Sequence, residues 1–105
     1  MQKLEIIKVT NDNFNEVINN NKKVLVDFNA DWCGPCRMLA PLLEELSEER
    51  SDTLFASVNI DSENELANRF NIMSIPCLIL FKDGVEVNRS IGLKPREEIE
   101  KILGD

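Results

Sequence analysis

Trp32-Cys33-Gly34-Pro35-Cys36 places two thiols three residues apart, shortly after the apolar run Val24-Leu25-Val26-Asp27-Phe28 and just before Arg37-Met38-Leu39-Ala40. Residues i and i+3 on a helical turn are neighbours, and their Cα separation falls in the roughly 4.4–6.8 Å that a disulfide tolerates. Cys33 and Cys36 can therefore bridge each other without long-range folding. A loop that short removes little chain entropy, so the bridge is a poor staple and its use lies in being reversible. Pro35, with a pre-set φ and no N–H, suits the first turn of a helix that Arg37 to Ala40 continue. Cys33 then sits near a helix N-terminus, where free N–H groups and partial positive charge favour the attacking thiolate. Cys33 is the expected nucleophile and Cys36 the resolving thiol.

Two plainer readings compete with redox chemistry: half of a zinc knuckle, or two ordinary core thiols. A structural zinc takes four N or S ligands. With three cysteines and no histidine, a complete site would have to recruit carboxylates or a second chain. A lone CxxC between a strand and a helix signals a redox site, and no metal or cofactor is expected.

The chain is 105 residues long, enough for one domain with one real core. A formal charge of -7 argues against nucleic acid or an anionic membrane as partner, since both need a basic surface. Three cysteines, two of them adjacent in space, do not make a secreted disulfide framework, and a reducing compartment fits better. Glu5 and Lys8 interrupt the apolar core that a signal peptide would need, and no run near 20 apolar residues could span a bilayer. A cytoplasmic location is expected.

Outward from the CxxC, the spacing predicts a helix from about Pro35 to Glu49. Met38, Leu39, Leu42, Leu43 and Leu46 form its inner face, Glu44, Glu45, Glu48 and Glu49 its outer one, and Pro41 kinks it. Val24 to Phe28 reads as a central strand buried on both faces. Asp27 within it is either a strand-end residue with solvated oxygens or a proton-handling group six residues before Cys33, its pKa raised by burial.

Upstream, Leu4 to Val9 suits a short edge strand. Thr10 to Asn13 supply capping side chains for a helix with Phe14, Val17 and Ile18 inward, and Asn19-Asn20-Asn21 is a turn tolerant of positive φ. Downstream, Leu54 to Ile60 reads as a second interior strand. Ser62 and Glu65 stand at capping-box spacing for a helix with Leu66, Ala67 and Phe70 inward. Pro76 opens the strand Cys77 to Phe81, Asp83-Gly84 marks a hairpin into Val85 to Ile91, and Pro95 starts a last helix with Ile99, Ile102 and Leu103 inward.

The predicted order is β α β α β α β β α. Alternation in the first half implies parallel strands with right-handed crossovers, and the hairpin adds an antiparallel pair. The fold class is α/β: three layers, with a mixed five-stranded sheet between helices.

Val24 to Phe28, Trp32 to Cys36, Ala40-Pro41, Val58-Asn59-Ile60-Asp61, Ile75-Pro76, Lys82-Asp83-Gly84 and Ile91-Gly92 together resemble the thioredoxin family in order and over essentially the whole chain. Members of that family carry a CxxC cysteine with a lowered pKa, which the resemblance implies for Cys33. The resemblance implies a thioredoxin fold in one domain, 1–105, and a protein-disulfide reductase that works as an electron carrier. Cys33 would attack a substrate disulfide and Cys36 would resolve the mixed disulfide, with Asp27 helping to take the Cys36 proton. Pro76 would be cis and lie against the disulfide, with the edge at Ile75 pairing with an extended substrate segment. Trp32, Gly34, Pro35, Ile75, Pro76 and Gly92 would form the substrate-binding surface. A thioredoxin reductase would be the electron donor, disulfide-containing proteins the targets, and the protein a monomer.

Three positions depart from the common pattern. Ser57 stands where family members usually carry a lysine near the aspartate, and a hydroxyl can hydrogen-bond but supplies no charge. Asn29 replaces a frequent aromatic and removes packing near the active loop. Cys77 replaces a common threonine, and reads either as a small apolar core residue or as a third redox-sensitive thiol. Two other classes compete with a reductase: a binding module indifferent to both cysteines, and a metal or cluster carrier using Cys33, Cys36 and Cys77.

Overall fold

In a computed structural model, which describes residues 6–104, Val24 to Phe28 lies within the middle strand of a five-stranded sheet. The elements are β1 (Ile7–Lys8), α1 (Phe14–Asn20), β2 (Lys23–Asn29), α2 (Gly34–Glu49), β3 (Leu54–Asn59), α3 (Asn64–Arg69), β4 (Cys77–Lys82), β5 (Val85–Ile91) and α4 (Arg96–Leu103). The sheet order is β1-β3-β2-β4-β5. β3 runs parallel to both β1 and β2, whereas β4 is antiparallel to β2 and to β5.

Antiparallel pairing therefore extends beyond the hairpin. α3 has six residues, about 9 Å at 1.5 Å per residue, and the connection between β3 and β4 does not carry the chain back along the sheet. β4 consequently starts at the end where β3 stops, with Cys77 opposite Phe28. That reversal delivers Ile75-Pro76 to the end of β2 from which the CxxC loop departs.

Strand alternation divides the core. Val24, Val26 and Phe28 join Val58, Ile79 and Phe81 under Phe14 and Ile18 of α1 and Leu66 of α3. Leu25, Phe55, Leu78 and Leu80 face the other way, under Leu39, Leu43 and Leu46 of α2 and Ile99 and Leu103 of α4. The helices thus cover both faces, completing the three expected layers. Each leucine buried fully against the sheet contributes roughly 1.5–3 kcal/mol over an exposed one. Asp27 shares the parity of Leu25 and so points to the α2 face, where it is 7 % exposed.

α2 runs through Pro41 without interruption. Met38 does not join its inner face: it is 68 % exposed, because a helix turns about 100° per residue and Met38 lies that far round from Leu39. Leu42 is half-buried. α4 is fastened to α2 by Arg96, which pairs with Glu45 and Glu49, and Arg50 reaches Glu100.

Local signals were partly superseded by long-range ones. The Ser62–Glu65 capping box does not form: α3 begins two residues later than Ser62, with Glu63 as its N-cap and no side-chain cap. Asn11 from the loop before α1 does the work instead, its Oδ1 accepting from Leu66 N at 3.2 Å while its own N–H donates to Glu63 Oε1 at 3.0 Å. Asn13 likewise turns its oxygen back to Thr10 N at 2.8 Å rather than onto α1. At the other end of α1 Asn21 is extended, and its amide donates to Val17 O at 2.9 Å. Asn19 and Asn20 belong to α1 and not to the expected turn, and positive φ occurs instead at Asp83 (51°) and Gly84 (81°) of the hairpin, as well as at Asn71. β1 is shorter than Leu4 to Val9, and Leu4 and Glu5 lie outside the described residues. Among the described residues no helix is long and apolar enough to cross a membrane.

Candidate active site

β2 ends at Asn29, the chain turns through Ala30 to Trp32, and α2 starts at Gly34 with Cys33 as its N-cap. A disulfide joins Cys33 to Cys36, with Cα atoms 5.2 Å apart. The N–H of Cys36 donates to Cys33 Sγ at 3.2 Å. Cys33 thus occupies the position of a capping side chain, with its sulfur on a first-turn amide that would otherwise be an orphan donor. Exposure does not separate the two cysteines, at 4 % and 5 %. Position does, because only Cys33 Sγ receives the helix N-terminus, which favours negative charge there.

Around the sulfurs, Ala30, Cys33 and Cys36 form a small cluster on which Ile60 and Ile75 pack. The Ile75-Pro76 bond is cis, and Pro76 is buried. The main chain of Ile75 has no hydrogen-bond partner among the described residues. Gly92 joins this edge through its N–H, which donates to Pro76 O at 2.8 Å, and its φ of +94° suits a residue with no Cβ. A Cβ added at Gly34 or Gly92 would meet nothing within 4 Å, so the space above both is open. Pro35 is exposed in the first turn of α2. Trp32 is 66 % exposed, and its indole N–H donates to Asp61 Oδ2 at 2.9 Å. Trp32, Gly34 and Pro35 thus flank the disulfide along the chain, while Ile75 packs on the cysteine cluster and carries with it Pro76, to which Gly92 is bonded.

Asp27 lies on the inner side of the same loop. It and Cys36 line one cavity of about 450 Å³ between the sheet and α2, bordered also by Asn29 and Ser57. Burial pushes the Asp27 carboxyl up to about 6, and a hydrogen bond from Asn29 opposes the rise. Asp27 is not a solvated strand-end residue, since it sits within β2 with Ser57 beside it on β3. Its Oδ1 is buried with no partner among the described residues.

Cys77 belongs to the opposite core, with Phe28 and Phe81. It is 1 % exposed, and burial pushes its thiol up. Strand parity thus puts the sheet between Cys77 and the cavity at Cys36. Among the described residues no cluster of His, Cys, Asp or Glu could hold a metal ion.

Two contributors were not legible beforehand. Asn29 looked like a lost aromatic, yet its amide bridges Asp27 and Ser57. Asp61 looked like part of a helix start, yet it orients Trp32. Neither has a local signal, because Ser57 lies 28 residues from Asn29 and Trp32 29 residues from Asp61 in the chain.

A reversible dithiol capping a helix, laid against a cis-proline edge on this sheet, defines a thiol-disulfide oxidoreductase. The chain belongs to the thioredoxin family, whose profile matches residues 5–105. It is 50% identical over 98 residues to a thioredoxin of Alicyclobacillus acidocaldarius, covering 92% of this chain and 93% of that protein. It is 47% identical over 106 residues to one of Mycobacterium tuberculosis, covering 99% and 91%. Among solved structures, a Plasmodium falciparum thioredoxin superposes with a TM-score of 0.89 at 32% identity, covering 93% of this chain and 96% of that one. One from Halobacterium salinarum gives 0.87 at 33%, covering 100% and 96%.

Proposed function

We propose that this chain reduces protein disulfides by a two-step exchange in which Cys33 attacks and Cys36 resolves. The Cys33 thiolate attacks one sulfur of the target disulfide, a Cys33–target bond forms, and the other target sulfur leaves as a thiolate. Cys36 gives its proton to Asp27 and attacks Cys33 Sγ, and the second target thiolate departs. Two electrons pass from the dithiol to the target, and the product is the Cys33–Cys36 disulfide. The observation that carries this assignment is the Cys36 N–H on Cys33 Sγ at the start of α2.

Asp27 suits its part because a carboxyl titrating near 6 can exchange protons near neutral pH. The unpartnered main chain of Ile75 supports pairing with an extended target segment, flanked by Trp32, Gly34, Pro35, Pro76 and Gly92. A thioredoxin reductase would return the electrons. The protein would act as a monomeric single domain, 1–105, in the reducing cytoplasm.

Turnover of a protein disulfide with a dithiol donor tests the assignment. Cys33→Ser is expected to reduce turnover to background, and Cys36→Ser to accumulate a mixed disulfide visible as a mass adduct on Cys33. Full turnover by Cys33→Ser overturns the mechanism. A reduction potential well above the cytosolic glutathione poise would reverse the direction of electron flow and remove the reductase reading.

A further inference from the structure

Asn29 is the last residue of β2, on the same strand face as Asp27 and four residues before Cys33. Its Nδ2 lies 2.8 Å from Ser57 Oγ, 3.1 Å from Asp27 Oδ2 and 3.2 Å from the Asp27 carbonyl oxygen. Its backbone is held too, since its carbonyl accepts from Ile60 N at 2.9 Å. An amide nitrogen carries two hydrogens in one plane, so acceptors on β2 and β3 together leave this side chain little freedom. It reaches one carboxylate oxygen only. The other, Oδ1, stays buried and unpartnered, on a carboxyl that shares a cavity with Cys36.

We propose that Asn29 is a positioning residue for proton transfer in this reaction: by bridging Asp27 Oδ2 and Ser57 Oγ it fixes the carboxyl plane and leaves Oδ1 to receive the Cys36 proton. The proposal rests on the reading that Asp27 takes that proton.

A donor on one carboxylate oxygen favours the charged form, against the burial that disfavours it. The other titratable or charged groups facing Asp27 are Cys36 and, around the cavity, Lys8 of β1, Asp31 of the turn, and Arg37 and Glu44 of α2, while Cys77 lies beyond the sheet and senses the Asp27 charge only through it. The hydrogen bond opposing burial comes from Asn29. Without that amide the carboxyl holds its proton more tightly and becomes a poorer acceptor near neutral pH. Ser57 anchors the amide without adding charge, so the arrangement tunes Asp27 by geometry and not through a neighbouring cation.

Carbon-13 and nitrogen-15 NMR of the reduced full chain across the pH range tests this directly. The Asn29 side-chain amide resonances are expected to titrate with the same midpoint as the Asp27 carboxyl carbon. Asn29→Leu, which keeps the branched side-chain skeleton and removes the donor, is expected to raise that midpoint by about 0.5–1 pH unit. The acid limb of the rate of disulfide reduction is expected to move by the same amount. Flat Asn29 resonances through the Asp27 titration overturn the proposal, as does an unmoved midpoint in a folded Asn29→Leu protein. If that variant does not fold, the wild-type co-titration decides. Asp27→Asn separates the two levels: if its acid limb is unchanged, Asp27 is not the acceptor, whatever Asn29 does.

Discussion

Asp27→Asn is expected to stabilise the protein at neutral pH, and the amount follows from the carboxyl's surroundings. The folded protein holds this proton up to about pH 6, against 3.8 for a free aspartate. Between those values the folded state binds more protons than the unfolded one, so stability falls as pH rises through the window and stays lowered above it. At 1.36 kcal/mol per pH unit, a shift of about two units costs the folded protein about 3 kcal/mol at about pH 7.5 and only about 0.5 kcal/mol at about pH 4. Asparagine keeps an acceptor for the Asn29 amide but cannot ionise. Any fixed cost of its extra N–H is the same at both pH values and cancels in the difference. Denaturant unfolding of the oxidised wild type and variant at the two pH values should therefore show the variant gaining about 2–2.5 kcal/mol more at the higher one, a relative midpoint shift of roughly 1–2 M urea. A gain independent of pH would refute the buried, proton-holding carboxyl. So would a variant that loses ground as pH rises.

Cys77 is sealed in the core with its thiol pushed up, so brief alkylation of the reduced native protein should label Cys33 first and Cys77 at least roughly 100-fold more slowly. Peptide mass spectrometry reads the ratio, and denaturant should abolish the difference. Asn11→Ala removes the acceptor for Leu66 N and is expected to cost about 1 kcal/mol in urea unfolding, with disulfide-exchange activity unchanged. Gly84→Ala combines a φ of +81° with a Cβ driven into Asn19 Oδ1, and is expected to lower stability by about 1–3 kcal/mol. Leu39→Ala opens a cavity against α4 and the sheet, with a cost of about 2–5 kcal/mol in the same assay.

Most of the fold was legible in the chain itself, because periodicity and turn chemistry are local. The two-sided strand around Val26, the leucine stripe of α2, the Asp83-Gly84 hairpin and the start of α4 at Pro95 each follow from residues close together in sequence. The CxxC and its place at a helix N-terminus follow in the same way, since Pro35 and the apolar positions after it set where α2 begins. Folding in three dimensions settled what depends on partners distant in the chain. The cap of α3 comes from Asn11, so the nearby Ser62 signal misled. Met38 turned outward because the sheet takes up only part of the helix circumference. Strand parity, which no single strand reveals, put Asp27 beside Cys36 and Cys77 on the other face. At the site, two cysteines three residues apart were enough to announce a reversible bond. The setting of Asp27 was not contained in them: Asn29 and Ser57 meet only when β2 and β3 pair, and a hydrogen bond between strands has no signature in either one alone.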